Sequence, residues 1–273
     1  LHYPLRRQRQ MCIRDRLHGI PIAVKDLIDV AGEKTTAASD FLRDNVVQED
    51  ADVVCRLRAA GAIIIGKTHL HEFAIGATTV NPHYGPARNP WNPDCSPGGS
   101  SGGSGAAVSA MMCPGALGTD TGGSVRVPSA LCGLTGIRPG KGRVSPEGVI
   151  PMSRTLDTVG PMAHTAHDVA ILLDVLDTQP LSPASCLDRI NEPVHGLKIG
   201  VPTDDFFWLE TDYQVVGCVR AATEWFSDMG LPVVDIQLPT IMEASRASQI
   251  IALADAVAVH QKRLREEPER FGK

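Results

Sequence analysis

The chain reads as an α/β protein with a largely parallel or mixed sheet. Short apolar runs of strand length alternate with segments whose apolar residues recur at helical spacing, and glycine or acidic residues mark the joins. The alternation continues over most of the 273 residues without a repeat of fixed period. That length suffices for one large domain or two small ones with a substantial core.

The regular pattern begins at Gly19. IPIAVKDLIDV (20–30) is apolar and β-rich, and is broken by Lys25-Asp26. DADVVCRLRAAG (50–61) places Val53, Val54, Leu57 and Ala60 at helical spacing, with Asp50 or Asp52 as N-cap and Gly61 as the stop. AIIIGK (62–67) reads as a short buried strand, and GGSGAAVSAMM (102–112) as a helix of small residues. AHTAHDVAILLDVL (163–176) is a helix with Thr165 or Asp168 near its start. Beyond a loop at 178–185 that could separate two lobes, the chain predicts a strand at 197–202, an amphipathic helix at 212–230, a strand at 232–239 and a long helix over 241–266. The N-terminal LRRQRQMCIRDR (5–16) is basic and aperiodic. MCIRDR resembles the translation of a transposon-end adapter used in sequencing libraries, so residues 1–16 are read as a non-native segment and left out of the fold.

Composition narrows the function. A net charge of -5 gives no electrostatic case for nucleic acid or an anionic membrane. No apolar run approaches the roughly 20 residues of a membrane span. The seven cysteines are scattered and form no C-x-x-C pair, as expected of reduced thiols in a cytoplasmic protein.

Three motifs invite other chemistry and lack its context. GAIIIGKT (61–68) matches the phosphate-loop pattern, but a helix precedes Gly61, and Ala-Ile-Ile-Ile suits a strand better than a phosphate cradle. His69 with His71, and His164 with His167, lack a third metal ligand at characteristic spacing; no metal and no cofactor are expected. Ser124 lies in Gly122-Gly123-Ser124-Val125-Arg126, which is not the G-x-S-x-G elbow of α/β-hydrolases.

One constellation remains. Lys25 ends an apolar strand, Ser100 and Ser101 lie in one glycine cluster, and Ser124 lies in a second. A serine hydroxyl is a weak nucleophile and needs a base. A lysine, which in water titrates at about 10.4, serves only when burial lowers that value by several units. Glycines beside a serine leave backbone N–H groups free to bind an oxyanion, at about 3–4 kcal/mol per donor. Taken singly, each feature is more simply a surface lysine or a turn; together they make a catalytic set.

The combination resembles the amidase signature family of serine hydrolases. The likeness runs from about Gly19 to Leu176 through GIPIAVKD (19–26), GKTHLHEFAIGATT (66–79), GPARNPW (85–91), PGGSSGGS (97–104), GTDTGGSVRVPSALCGLTG (118–136), GRVSPEGVIP (142–151) and LDTVGPMAHT (156–165). It implies an α/β/α layered fold and a Ser-cisSer-Lys triad. Ser124 is then the nucleophile, Ser100 the bridging serine after a cis peptide, and Lys25 the base. The backbone N–H groups of Thr121, Gly122, Gly123 and Ser124 form the oxyanion hole. Ser101, Asp120 and Arg126 support them, Arg126 by pairing with a carboxylate. The segment 97–104 should therefore be buried and ordered.

The chain departs from the family at RPGKGRVS (138–145), where a Pro-Thr or Pro-Ser pair is usual. Family members are also longer at both ends. The expected organisation is a signature core over 17–180 and, over 181–273, a continuation of the same α/β domain, incomplete at its C-terminus. The implied activity is hydrolysis of a small carboxamide through an acyl-enzyme. Two alternatives stand beside it: the glutamine-hydrolysing A subunit of an aminoacyl-tRNA amidotransferase, which alone would bring partner subunits, and a non-catalytic fragment. GATTVNPHYGP (76–86) looks more like a free-standing amidase. A homodimer is left open.

Overall fold

The computed structural model describes residues 17–179, 185–194 and 196–272, so the reading of 1–16 as non-native lies outside the described residues. Five strands form one mixed sheet in the order β2–β1–β3–β5–β4: β1 Pro21–Lys25, β2 Ile63–Thr68, β3 Gly115–Asp120, β4 Thr135–Gly136 and β5 Thr158–Ala163. β1 is parallel to both of its neighbours, and β5 is antiparallel to β3 and β4. The helices are α1 Asp52–Ala59, α2 Gly102–Ser109, α3 Arg126–Leu131, α4 Ala166–Leu176, α5 Cys186–Arg189, α6 Tyr213–Asp228 and α7 Ile241–Glu266.

Side-chain alternation along the central strands sets the layers. Ile22 and Val24 of β1 join Leu117, Val159 and the apolar faces of α1 and α4 in the largest core cluster. Ala23 and Ala116 point the other way, onto Val108 of α2. The sheet therefore has α1 and α4 on one face and α2 on the other, the expected α/β/α layering. Lys25 is in phase with Ala23, which aims it toward the α2 side.

Local chemistry explains the helix limits. Thr165 caps α4 by accepting the Asp168 N–H at 3.1 Å. α4 buries Val169, Ala170, Leu172, Leu173 and Leu176, each leucine contributing about 1.5–3 kcal/mol. Gly61, at φ +86°, ends α1 as expected. Neither proposed aspartate caps α1. Its N-cap is Ala51, because Asp50 turns away to accept the Ala31 N–H at 2.8 Å, and Asp52, already helical, pairs with Arg56.

One expectation about strands needs correction, and two buried strands had no sequence expectation. β2 is not buried: Ile63 is 53% and Ile65 49% exposed, because β2 is the edge of the sheet. β3 and β5 are buried throughout, yet GALGTD and TVGPMA carry few β-branched residues, so propensity did not mark them.

The chain divides into two compact units, Leu1–Ile190 with Ile251–Lys273, and Asn191–Ile250. In the smaller unit β6 Ile199–Pro202 pairs in parallel with β7 Val233–Ile236, joined through α6. In the larger unit the C-terminal residues return to a second apolar cluster: the Phe271 ring packs tilted against Phe41 with centroids 4.9 Å apart, and Gly272 N–H donates to Glu72 at 2.8 Å. The described cysteines, Cys55, Cys95, Cys113, Cys132, Cys186 and Cys218, are free thiols. No helix among the described residues is long and apolar enough to cross a membrane.

Candidate active site

The site forms where parallel neighbours β1 and β3 end side by side. Val24 is in register with Leu117, so Lys25, one residue on, and Thr119, two residues on, come within reach of each other. Lys25 is fully buried, and its Nζ donates to Ser100 Oγ at 2.7 Å and to Thr119 Oγ1 at 2.8 Å. Burial pushes the Lys25 ammonium down from 10.5 to about 7, with the negative charges of Asp157 and then Asp120 holding it up in part. A lysine in that range is substantially neutral near pH 7 and can accept a proton.

The segment that composition alone would suggest is a linker is part of the interior. Pro97 to Gly102 is buried without a break, and the Gly99–Ser100 peptide is cis. Ser101 joins this loop to β3: its Oγ donates to the Thr119 carbonyl at 3.2 Å and accepts the Thr119 N–H at 3.2 Å. Its own N–H donates to the Ser124 carbonyl at 3.2 Å. The close approach requires Gly118, since a Cβ there would lie 2.7 Å from Ser101 Oγ. Gly118→Ala is therefore expected to lower stability by about 1–3 kcal/mol, measured by chemical denaturation, as overpacking forces Ser101 off Thr119. An unchanged midpoint would mean that the loop gives way freely.

Asp120 organises the loop after β3. Fully buried, it accepts the N–H groups of Gly123 (2.8 Å), Val125 (3.2 Å) and Arg126 (3.3 Å), and the Arg126 guanidinium grips both its oxygens at 3.0 Å. Burial alone would raise the Asp120 carboxyl; the Arg126 fork and the amides outweigh it and hold the carboxyl below the ordinary range. The carboxylate expected to pair with Arg126 is thus Asp120. Thr121 Oγ1 donates to Asp157, whose other oxygen accepts the Met152 and Ser153 N–H groups at 2.8 and 2.9 Å.

The sequence-derived residues are therefore brought together unequally. Lys25 and Ser100 touch directly. Ser124 is half-buried and is tied to the serine loop through its carbonyl, and among the described residues no hydrogen bond reaches its hydroxyl. Of the four amides assigned to the oxyanion hole, that of Gly123 is given to Asp120, whereas Gly122 and Ser124 N–H have no partner among the described residues. His69 and His164 each direct Nε2 at a carbonyl, of Gly85 and Val108. Sequence reasoning did not single out Thr119 or Asp157. For Thr119 the signal was a polar side chain after the Gly/Ala/Leu run of β3; for Asp157, whose role depends on distant loops, it was only a place in LDTVGPMAHT.

A cavity of about 440 Å³ opens beside this site, lined in part by Thr119, Asp157, Lys141, Glu147 and Arg154.

The family model described as Amidase matches residues 5–271. A curated relative, the A subunit of the glutamyl-tRNA(Gln) amidotransferase of Azotobacter vinelandii, is 43% identical over 248 residues, covering 88% of this chain and 51% of the relative. Among solved structures, the A subunit of the glutamyl-tRNA(Gln) amidotransferase of Thermotoga maritima has a TM-score of 0.83 and 36% identity, covering 88% of this chain and 56% of that one. The crystal structure of an amidase has a TM-score of 0.84 and 35% identity, covering 97% and 58%. The chain spans about half the length of the curated relatives it matches.

Proposed function

The chain belongs to the amidase family, and from that premise we propose that it hydrolyses a carboxamide to a carboxylate and ammonia or an amine, through an acyl-enzyme on Ser124. The observation that carries this reading is the buried Lys25, lowered to about 7 and bonded to Ser100 at 2.7 Å. A buried lysine without a counter-ion in contact is costly to keep charged, and it is retained here at the foot of two serine loops.

In this reading neutral Lys25 takes a proton from Ser100, which takes one from Ser124 as the Ser124 oxygen attacks the amide carbonyl. The negative charge on the carbonyl oxygen is met by backbone N–H groups of the Thr121–Ser124 loop, with those of Gly122 and Ser124 free to donate. The relayed proton returns to the leaving nitrogen, the C–N bond breaks, and water then attacks the acyl-serine with the same relay as base. Asp120 and Arg126 hold the loop, and Ser101 holds it against the Ser100 segment.

A fluorophosphonate probe tests the nucleophile. The protein is expected to label, and Ser124→Ala to lose labelling by on the order of 10⁴-fold or more. A folded protein that never labels would remove the catalytic reading and leave the non-catalytic fragment.

The names of the curated relatives favour a second reading, in which the amide is glutamine and the ammonia passes to partner subunits. Ammonia release from glutamine, compared with release from simple carboxamides, separates the two.

A further inference from the structure

Thr79 lies far from the serine loop in sequence and at its centre in space. It is fully buried, and its backbone is left-handed at φ +53°, a conformation that β-branched residues rarely adopt. Its hydroxyl donates to the Gly98 carbonyl at 2.8 Å and accepts the Gly102 N–H at 3.1 Å, with the Ser100 carbonyl at 3.3 Å. Every hydrogen bond of this side chain therefore goes to residues 98–102, and it ties the chain before Ser100 to the chain after it. The loop is shaped around that oxygen: a Cβ at Gly102 would lie 2.4 Å from Thr79 Oγ1. The Ser100 carbonyl is held independently by the His71 N–H at 3.1 Å. With both flanks of Ser100 fixed, its hydroxyl is left one orientation-setting contact among the described residues, Lys25 Nζ.

We infer that Thr79 is a positioning residue for amide hydrolysis, its hydroxyl setting the backbone that carries Ser100 Oγ to Lys25. The inference rests on the catalytic reading above and adds to it a residue that touches neither substrate nor base. A misplacement of the relay by about 1 Å slows the reaction without altering the pocket that binds the acyl group.

The test is the rate of fluorophosphonate labelling of the 273-residue chain, resolved into kinact and KI as a function of pH. Thr79→Val keeps the branched shape and removes only the hydroxyl. It is expected to lower kinact by roughly 10–100-fold and leave KI nearly unchanged, with the pH midpoint nearly where it was because burial and the charges of Asp157 and Asp120 do not change. Thr79→Ser is expected to restore most of the rate. Val labelling at the wild-type rate would overturn the inference, as would a Ser variant as slow as Val when circular dichroism reports both folded. If the Val variant does not fold, Thr79→Ser and Thr79→Ala, which differ by one oxygen, decide the matter, and equal kinact values would overturn it. Failure of the folded wild type to label takes away the catalytic reading itself, and this inference with it.

Discussion

Lys25→Met is expected to abolish labelling of Ser124 and, at the same time, to raise the melting temperature of the protein. Loss of a general base slows such chemistry by roughly 10²–10⁴-fold. The gain in stability follows from the same burial that makes the lysine a base. Its value falls from 10.5 in the unfolded chain to about 7 in the fold, so near and below pH 7 folding disfavours the charged form by roughly 5 kcal/mol. Against this, Ser100 and Thr119 lose a donor, at about 1 kcal/mol each. The net of a few kcal/mol corresponds to about 5–10 °C. The sign of the pH dependence is fixed. Because the folded value is depressed, the penalty on the wild type is full below about 7, shrinks as pH rises toward 10.5, and is absent above it. The advantage of Lys25→Met should therefore shrink as pH rises and reverse in alkali, where only the two lost hydrogen bonds remain. A variant that is less stable at every pH would show that Lys25 is held charged, and the relay would then lack its base.

The contrast between what was legible and what was not follows the range of the interactions. α4 could be placed because its periodicity and the Thr165 cap are local. Gly61 could be read as a stop because a positive φ is a property of one residue. β2 was read as buried because AIIIG says only that a strand is apolar; whether it is central or an edge depends on pairing with β1 across about 40 residues of chain. The buried strands GALGTD and TVGPMA were missed for the complementary reason. Glycine and alanine there answer to the serine loop and α2 pressed against them, as Gly118 does to Ser101, and not to strand propensity. In the site, Lys25, Ser100 and Ser124 were found through a motif resemblance spanning 19–176, and Asp120 and Arg126 through their place in it. Thr79 and Asp157 lie in stretches 66–79 and 156–165 that carry the resemblance, but their hydrogen bonds to Gly98 and Thr121, 19 and 36 residues away, follow no local pattern.

Asp120 couples stability to catalysis, and its two variants should separate the two roles. Asp120→Ala leaves the Gly123, Val125 and Arg126 amides without their acceptor and is expected to cost about 3–5 kcal/mol, read from chemical denaturation. Arg126 itself, with half of its side chain exposed, turns to water and adds little to that figure. Asp120→Asn keeps the shape and part of the hydrogen bonding, so it should fold, but it removes a negative charge that raises the Lys25 value. The midpoint of the pH–labelling curve, near 7 in the wild type, should then move to lower pH. The stability that Asp120 itself contributes has the opposite dependence. Its folded value lies below the ordinary 3.8, so the contribution is complete above that pH and is lost as pH falls through the folded value; the Asn variant should lack this acid-side loss. A midpoint that stays in place or moves up in Asp120→Asn would mean that the field of Asp120 does not reach Lys25, and that the loop it organises serves the oxyanion alone.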